Sequence, residues 1–379
     1  MRAAYTRYDE QRALALLEAR YAAEPAGIDQ LLVLLDYGML LHAAGRWEES
    51  KLVLGKADGL SQQLDLVSVT EETGALLANE TLRVYRGEDF EKLMISVLQA
   101  LNYAQLGDDE GALVEIRRGN ERLQKMVAQN KPYEQLAIAR YLGAMIYEDQ
   151  REWDSAAIDY LAAAQLQPQL GVLAEPALRL AQRTARADSY AEQLRKHPGV
   201  EHSPLASDEG QIAVVIEAGQ APRKVENYTR NQTASIVVVP VYAASKTRVP
   251  AANVTFSSGT VEAVVVTSLD AVARRHLDDR IGKLVAKSIA SVSIKAVLAA
   301  TVGALTKSEE LGVLTFAALS LTQQADTRSW LSLPAEFQIA RARVKAGKQK
   351  VSVTAAGRTT EHEVDVAPGR VKVVVVRRY

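Results

Sequence analysis

The stretch LLDYGMLLHAAGRWEESKLVLGKA (Leu34–Ala57) decides the fold of the N-terminal half. Two apolar segments flank Gly45, and glycine is the residue that most often ends a helix in a left-handed turn. Gly38 and Ser50 are small and stand where two antiparallel helices would cross closely, while Trp47 would pack beneath the turn. The spacing therefore predicts a pair of antiparallel helices joined at Gly45.

The same arrangement of small and large residues occurs twice more. ALNYAQLGDDEGALVEIRRGNERL (Ala100–Leu123) has its turn at Gly107, and LGAMIYEDQREWDSAAIDYLAAAQLQP (Leu142–Pro168) has Arg151 in place of the turn glycine. The segment EQRALALLEARYAAEP (Glu10–Pro25) suits the second helix of a preceding pair. The pattern resembles the tetratricopeptide repeat of 34 residues, whose helix pairs stack into a solenoid. An ordinary helical bundle is the alternative.

The repeats are unevenly spaced. Gly45 and Gly107 are 62 residues apart, so an irregular helical unit at about residues 59–95 separates the first two copies. Solenoids of this kind expose a curved groove that binds protein surfaces and rarely carry out chemistry. We therefore expect a groove for a partner segment, and the sequence leaves open whether that groove is free or filled by the irregular unit.

The composition changes after residue 200. A helix is predicted from Glu175 to a stop at His197-Pro198-Gly199, and the turn-rich EHSPLASDEG follows it as a domain boundary. Three runs rich in Val and Ile then predict strands that are covered on both faces or paired centrally; they are QIAVVIEAG (Gln211–Gly219), ASIVVVPVY (Ala234–Tyr242) and VEAVVVTSL (Val261–Leu269). A capping box at Thr267–Asp270 opens helical sequence that continues to about Gln324.

The C-terminal tail reads as four strands, EFQIARARV, KQKVSVTA, TEHEVDVA and RVKVVVVRR, which turns at Ala346-Gly347, Ala356-Gly357 and Pro368-Gly369 would join into an antiparallel meander. Residues 325–379 contain 11 Lys/Arg and 5 Asp/Glu. This positive charge would dock the sheet on the acidic helical half or keep a sheet face solvated, and the second interpretation is favoured. The sequence thus predicts an α+β fold, with a tetratricopeptide-like domain over residues 1–200 and a mixed α/β domain over residues 205–379.

Between Val285 and Ala325 the chain is apolar but interrupted by charged residues. No stretch of about 18 uncharged apolar residues occurs, so no transmembrane helix is expected. A buried helical hairpin is the favoured interpretation of this segment.

The composition excludes several classes of function. A net charge of -1 argues against a dedicated nucleic-acid binder. The chain has no cysteine and five histidines, which excludes disulfides, zinc–thiolate sites, iron–sulfur clusters and a cysteine nucleophile. No phosphate-binding loop or hydrolase motif occurs. We therefore expect no cofactor, no metal and no catalytic activity.

Two segments contain candidate contact residues for a protein partner. Asp326, Arg328 and Trp330 form the densest mixture of polar and aromatic residues, and Arg and Trp are common at interface hot spots. A buried Asp326–Arg328 pair with Trp330 packed on the sheet is the favoured alternative. In the second segment, Arg274 and Asp278 are four residues apart and would pair on a helix face that docks on another domain.

An acidic cluster lies at residues 87–92. The sequence GEDFEK has three carboxylates within four residues, and it precedes an apolar helix. Acidic residues in a first turn suit the helix dipole, so a structural cap is favoured over a metal site. Phe90 is expected in the core.

Three stretches, Val84–Leu123, Ala271–Ala290 and Gln324–Gly347, together resemble a bacterial family of tetratricopeptide-bearing proteins without assigned chemistry. Its members are generally predicted lipoproteins of the cell envelope, often encoded beside small lipoproteins of the penicillin-binding-protein-activator and curli-secretion types. The resemblance covers about Gly38 to Val353. The start departs from the family, because the leader and the lipid-bearing cysteine are missing. The resemblance implies a native form anchored by lipid on the periplasmic side of the outer membrane; a cytoplasmic protein is the alternative.

Three functions remain in competition. The favoured one is a non-catalytic scaffold of the envelope that binds a protein partner, such as another envelope lipoprotein, through the repeat groove. The second is a subunit of an oligomeric or secretion-related assembly, in which Val285–Ala325 would mediate self-association. The third is a hydrolase acting on cell-wall polymer.

Overall fold

The computed structural model describes residues 10–23, 27–67, 83–128, 136–230, 236–243, 249–321 and 324–379. Part of the predicted irregular unit, at 68–82, and the start of the predicted strand Ala234–Tyr242 lie outside these ranges.

The N-terminal half is an array of helical hairpins. After α1 (Glu10–Ala22), the first helices of the hairpins are α2 (Gln30–Ala43), α4 (Asp89–Leu106), α6 (Ala137–Asp149) and α8 (Gly171–Arg183), and their second helices are α3 (Trp47–Val67), α5 (Asp109–Ala128), α7 (Trp153–Leu166) and α9 (Ala187–Lys196). The connections within hairpins are only two or three residues long, which makes the two helices of each pair antiparallel neighbours.

One kind of turn closes all four hairpins. Gly45, Gly107, Arg151 and Ala185 have φ angles of 72°, 73°, 63° and 55°. In each case the next residue donates its N–H to the carbonyl oxygen five residues earlier, at 2.8–2.9 Å, as in a Schellman turn. The predicted turns at Gly45, Gly107 and Arg151 are confirmed. The predicted single helix from Glu175 to His197 is wrong, because it breaks at Ala185, where no glycine or proline signals the end.

The predicted close crossing of the first pair is confirmed. The Ser50 hydroxyl donates to the Gly38 carbonyl oxygen at 2.7 Å. A Cβ atom added at Gly38 would lie 2.5 Å from the Leu54 side chain. Only a residue without a side chain therefore fits at this position without movement of its neighbour.

The second half contributes two four-stranded sheets and a two-stranded ribbon. The strands are β1 (Glu209–Ala218), β2 (Lys224–Arg230), β3 (Ile236–Tyr242), β4 (Asn253–Phe256), β5 (Gly259–Glu262), β6 (Val264–Ser268), β7 (Glu336–Lys345), β8 (Gly347–Ala355), β9 (Arg358–Val366) and β10 (Val371–Arg378). The central sheet has the order β10-β1-β7-β6, the outer sheet has the order β5-β4-β8-β9, and β2 pairs with β3.

Two strand predictions are wrong. The C-terminal strands do not form a meander: β7 and β10 flank β1 in the central sheet, with β10 parallel to β1, whereas β8 and β9 pair in the outer sheet. The predicted strand Val261–Leu269 is divided between the two sheets at Ala263, whose N–H donates to the Ala252 carbonyl oxygen at 2.7 Å. The alternation of apolar and polar residues along a strand does not reveal which sheet the strand joins.

These elements form three layers, namely the helical array, the central sheet and the outer sheet. Ala213 and Val215 of β1 pack into the core shared with the helices. Ile212 and Val214 of the same strand pack into the core shared with the outer sheet. The prediction that β1 is covered on both faces is confirmed, as is the α+β fold class. The division at residues 200–205 stays a prediction, and an apolar core joins the two halves across it.

Two further helices, α10 (Leu269–Thr306) and α11 (Glu309–Leu321), are inserted between β6 and β7. The N-cap of α10 is Ser268, whose hydroxyl accepts the Ala271 N–H at 3.2 Å. The capping box predicted at Thr267 is wrong by one residue, because the Thr267 hydroxyl instead accepts the Ile138 N–H of α6 at 2.9 Å.

Candidate interaction surfaces

The first helices of the hairpins face the central sheet and the segment that precedes β7. Each contributes an acidic side chain that accepts a bond from the sheet half: Asp36 from the Ser332 hydroxyl at 2.7 Å, Glu91 from the Trp330 N–H at 2.8 Å, Asp149 from the Val371 N–H at 2.8 Å, and Glu175 from Arg343 at 3.0 Å. The face expected to bind a partner segment is therefore covered by the chain itself. The sequence left open whether this face is free or filled, and the sheet half fills it; binding of a partner segment by the repeats stays a prediction.

The centre of this internal interface is a buried ion cluster around Arg341 of β7. The Arg341 guanidinium lies 2.7 Å from Glu148 and donates to the Tyr160 hydroxyl at 2.7 Å. Arg179 of α8 binds the other carboxylate oxygen of Glu148 at 2.7 Å. Burial raises the pKa of Glu148, but the two arginines and the Tyr160 hydroxyl outweigh burial and lower that pKa to about 2. Glu148 is thus a charged anchor in the core.

The positive charge of the C-terminal strands serves this docking. Arg370 binds Asp149 with two nitrogens at 2.6 and 2.7 Å, and Arg341 and Arg343 reach Glu148 and Glu175. The favoured interpretation of a solvated basic sheet face is therefore wrong for these three arginines.

A second cluster ties the helical array to the base of α10. Glu88, the N-cap residue of α4, lies 2.6 Å from the Lys224 ammonium and 2.9 Å from His276 Nε2, and it also binds Arg280. Burial opposes ionisation, yet the Lys224 ammonium, the hydrogen bond with His276 and the Arg280 guanidinium hold the pKa of Glu88 well below its usual range. The N–H of Glu88 donates to the Glu91 carboxylate at 2.8 Å, which confirms the predicted structural cap. Phe90 is buried, as expected.

The predicted contact residues Asp326, Arg328 and Trp330 have internal partners. Arg328 binds Asp326 at 2.7 Å and Asp29 at 3.1 Å, and it donates to the Arg83 carbonyl oxygen at 2.9 Å. Trp330 is 1% exposed, and its indole N–H donates to Ser332 at 2.9 Å. The favoured alternative is therefore what the structure has: these residues fasten the segment before β7 to the helices. Partner binding by them stays a prediction, and through Trp330 it would require the core to open.

Arg274 and Asp278 are not brought together as predicted. Arg274 instead binds Asp270, one turn earlier, at 2.9 and 3.0 Å. Its other bonds, at 2.7 and 3.1 Å, go to the carbonyl oxygens of Ala243 and Tyr242, and Asp278 is exposed. Arg274 thus docks α10 on the end of β3, because those carbonyl groups lie within its reach.

The helices α10 and α11 form a hairpin that leaves apolar side chains uncovered. The exposed fractions are 80% for Leu305, 65% for Val297, 64% for Val313 and 63% for Leu314. The prediction of a buried hairpin is therefore wrong. The two helices enclose a shallow groove of about 550 Å³ along one side, with a floor of small residues. This hairpin surface, residues 289–316, contains seven of the 16 large apolar side chains that are exposed among the described residues.

One helix in the described part of the chain is long and apolar enough to cross a membrane by length and composition. It is Leu269–Thr306, whose most apolar 18-residue window has a mean hydropathy of 1.7 and is 18% buried. No such helix is expected from the sequence, because lysines interrupt the apolar run. No group of three or more His, Asp or Glu side chains suited to a metal ion occurs in the described residues.

Comparisons with known proteins give one distant structural likeness. No protein-family model matches the chain, and no curated protein matches it. A solved tetratricopeptide repeat protein from Parabacteroides merdae is 16% identical over 54% of this chain and 77% of its own, with a TM-score of 0.24. Support for the helical repeats therefore comes from the turns and the helix crossings of this chain itself.

Proposed function

We propose that this protein is a non-catalytic interaction protein that presents the hairpin surface to a partner. The carrying observation is the exposure of Val297, Leu305, Val313 and Leu314 on one projecting element, while the inner face of the array is covered. Soluble monomers rarely expose contiguous apolar patches of this kind unless the patch binds something.

The hydrolase alternative has less support. The raised pKa values of Glu91 and Asp159 arise chiefly from burial, not from an open cleft. Glu91 accepts bonds from the Tyr85 hydroxyl and the Trp330 N–H, and Asp159 accepts bonds from Arg140 and Asn120. Both carboxyl groups are occupied by bonds within the fold.

A photo-cross-linking experiment tests the proposal. A photo-reactive phenylalanine replaces Val313 in the hairpin, and in a matched variant it replaces Ile158 of α7, which is 52% exposed. We expect the Val313 variant, expressed in cells, to give a discrete cross-linked adduct, and the Ile158 variant to give none. Adducts of equal yield from both positions, or from neither, would contradict the proposal.

The place of action that we propose is the bacterial envelope, on the periplasmic side of the outer membrane. Support comes from the resemblance of Val84–Leu123, Ala271–Ala290 and Gln324–Gly347 to predicted envelope lipoproteins. The test is fractionation of cells that express the complete natural gene product. Recovery in the outer-membrane fraction supports this location, and recovery in the cytosol contradicts it.

A further inference from the structure

The hairpin surface has an identifiable occupant. This inference rests on the proposed function, since it names the partner that the hairpin binds. The candidates are a lipid bilayer, an unrelated protein and a second copy of this chain. Length and charge favour one of them.

The hairpin does not match a bilayer. The 13 residues of α11 span about 20 Å at 1.5 Å per residue, against a hydrocarbon thickness of about 30 Å. The tip between the helices contains Lys307, Glu309 and Glu310, which would have to enter or cross the hydrocarbon. Lys295 lies within the apolar part of α10. Charged side chains at such depths are strongly unfavourable, so a protein surface is the better partner.

The groove in the hairpin is lined mostly by small residues. Ala299, Ala300, Gly303 and Gly312 are among its lining residues. The two helices touch at the glycines: a Cβ atom added at Gly312 would lie 3.4 Å from the Gly303 Cα atom. Small residues of this kind allow a further helix to approach closely. Val313 and Phe316 form one wall.

The charges along the hairpin define an orientation. Lys283, near the base of α10, is exposed. At the tip, Glu309 and Glu310 are exposed beside the exposed Lys307, and two carboxylates against one lysine leave the tip acidic. About 24 residues of α10, or about 35 Å, separate base from tip. If a second hairpin lies antiparallel, each acidic tip falls beside the other copy's Lys283. The midpoint between residues 283 and 309 is Ala296, which lines the groove. A parallel arrangement would instead place the two acidic tips together.

We propose that two copies of this chain associate through their α10–α11 hairpins in an antiparallel four-helix arrangement with a two-fold axis near Ala296. The contact is isologous, so each copy supplies both the acidic tip and the basic base. The exposed apolar side chains of each hairpin are covered by the other.

This sequence contains no cysteine, so a single introduced thiol can be followed, and this provides the test. Ala296→Cys places a thiol near the proposed axis, and Ala304→Cys places one about 12 Å along α10 from it, so its two copies would be about 24 Å apart. Leu52→Cys on α3, a position that is 59% exposed, is the matched control. After mild oxidation of the folded full chain, we expect a disulfide-linked dimer for Ala296→Cys and monomers for the other two. Cross-linking of Ala304→Cys as readily as Ala296→Cys would overturn the antiparallel arrangement.

Mass measurement and charge exchange complete the test. Light scattering of the unmodified chain is expected to give twice the monomer mass. The variant Glu309→Lys/Glu310→Lys should weaken dimerisation at least tenfold, and added Lys283→Glu should restore it. Circular dichroism confirms that each variant is folded.

A monomer that binds anionic phosphatidylglycerol vesicles overturns the dimer in favour of a bilayer. If Val313 gives a photo-adduct with a different protein, the dimer is overturned while the proposed function stands; if it gives no adduct, both fail.

Discussion

The inner face of the helical array and the α10–α11 hairpin are both apolar, yet only the first is covered. The array packs on Ala213, Val215 and Phe337 of the central sheet, within the same chain. The hairpin leaves Val297 and Leu305 mostly exposed. The covered surface also has buried carboxylates that are matched by arginines, which fixes its partner. The charges of the hairpin are instead spread along its length, near its base, its middle and its tip. Matched buried charges thus mark the surface that the chain covers by itself.

The largest effect is expected when the covered surface loses its central cation. Arg341→Met leaves the buried Glu148 with Arg179 as its one cation, beside the Tyr160 hydroxyl, and should lower the free energy of unfolding by about 3 kcal/mol or more. Urea unfolding at neutral pH measures this change. The control Lys345→Met removes an exposed ion pair with Asp208 that solvent screens, so the free energy should change far less than for Arg341→Met. Equal effects would show that the internal cluster does not hold the layers together.

The second largest effect is expected in acid, which should weaken the packing of the helical array on the central sheet. The pKa of Glu148 is about 2 in the folded protein and about 4.5, the ordinary value of a glutamate, in the unfolded chain. Because the folded pKa is the lower one, its stabilisation is present above about pH 4.5 and is lost as the pH falls toward 2, on the order of 3 kcal/mol.

The check is urea unfolding between pH 5 and pH 2.5. Wild type should lose more stability over this range than Glu148→Gln, which has no carboxyl group at this position. Parallel pH dependences of the two proteins would contradict the assigned pKa.

A moderate effect is expected at the crossing of α2 and α3. Gly38→Ala forces the Leu54 side chain to move and should cost about 1–3 kcal/mol. Gly59→Ala is the matched control, because a Cβ atom there meets nothing within 4 Å and alanine is the better helix former. Thermal unfolding should rank Gly38→Ala below wild type and Gly59→Ala at or above it. The reverse order would rule out this crossing.

The smallest effect on stability should come from the uncovered surface. Leu305→Ser removes an apolar side chain that is 80% exposed, so the free energy of unfolding of dilute monomer should change by about 0.5 kcal/mol or less. Leu54→Ser, in the core, should cost several kcal/mol by comparison. A large loss at Leu305 under monomeric conditions would mean that the hairpin tip is covered within one chain.

The local features of the array could be read from particular residues. Gly45, Gly107 and Trp47 mark the turns, because a left-handed turn and a bulky side chain beneath it have sequence signals. Ala185 was missed, since its left-handed conformation is imposed by packing of α9 on α8 and no glycine announces it. The acidic segment at residues 87–92 was correctly interpreted as a cap, but its partners Lys224 and His276 are 136 and 188 residues away.

The candidate contact residues show the same difference between what neighbouring residues reveal and what distant partners decide. Arg274 was paired with Asp278 from helical spacing, while the structure pairs it with Asp270, because the Tyr242 and Ala243 carbonyl groups attract the guanidinium toward β3. Glu148 and Arg341 were missed. The available signal was a pair of carboxylates at the end of a mainly apolar first helix, together with a strand that contains arginine among apolar residues.

The sequence by itself determined three of the four helix pairs, most of the strands and the apolar character of residues 285–325, because periodicity, turn residues and hydropathy act over a few neighbours. The tertiary structure alone decided that the central sheet covers the array, that β10 runs parallel to β1, and that the hairpin stays exposed. These outcomes depend on which distant surfaces meet, and pairs such as Glu148 with Arg341 stabilise only when both charges are buried together.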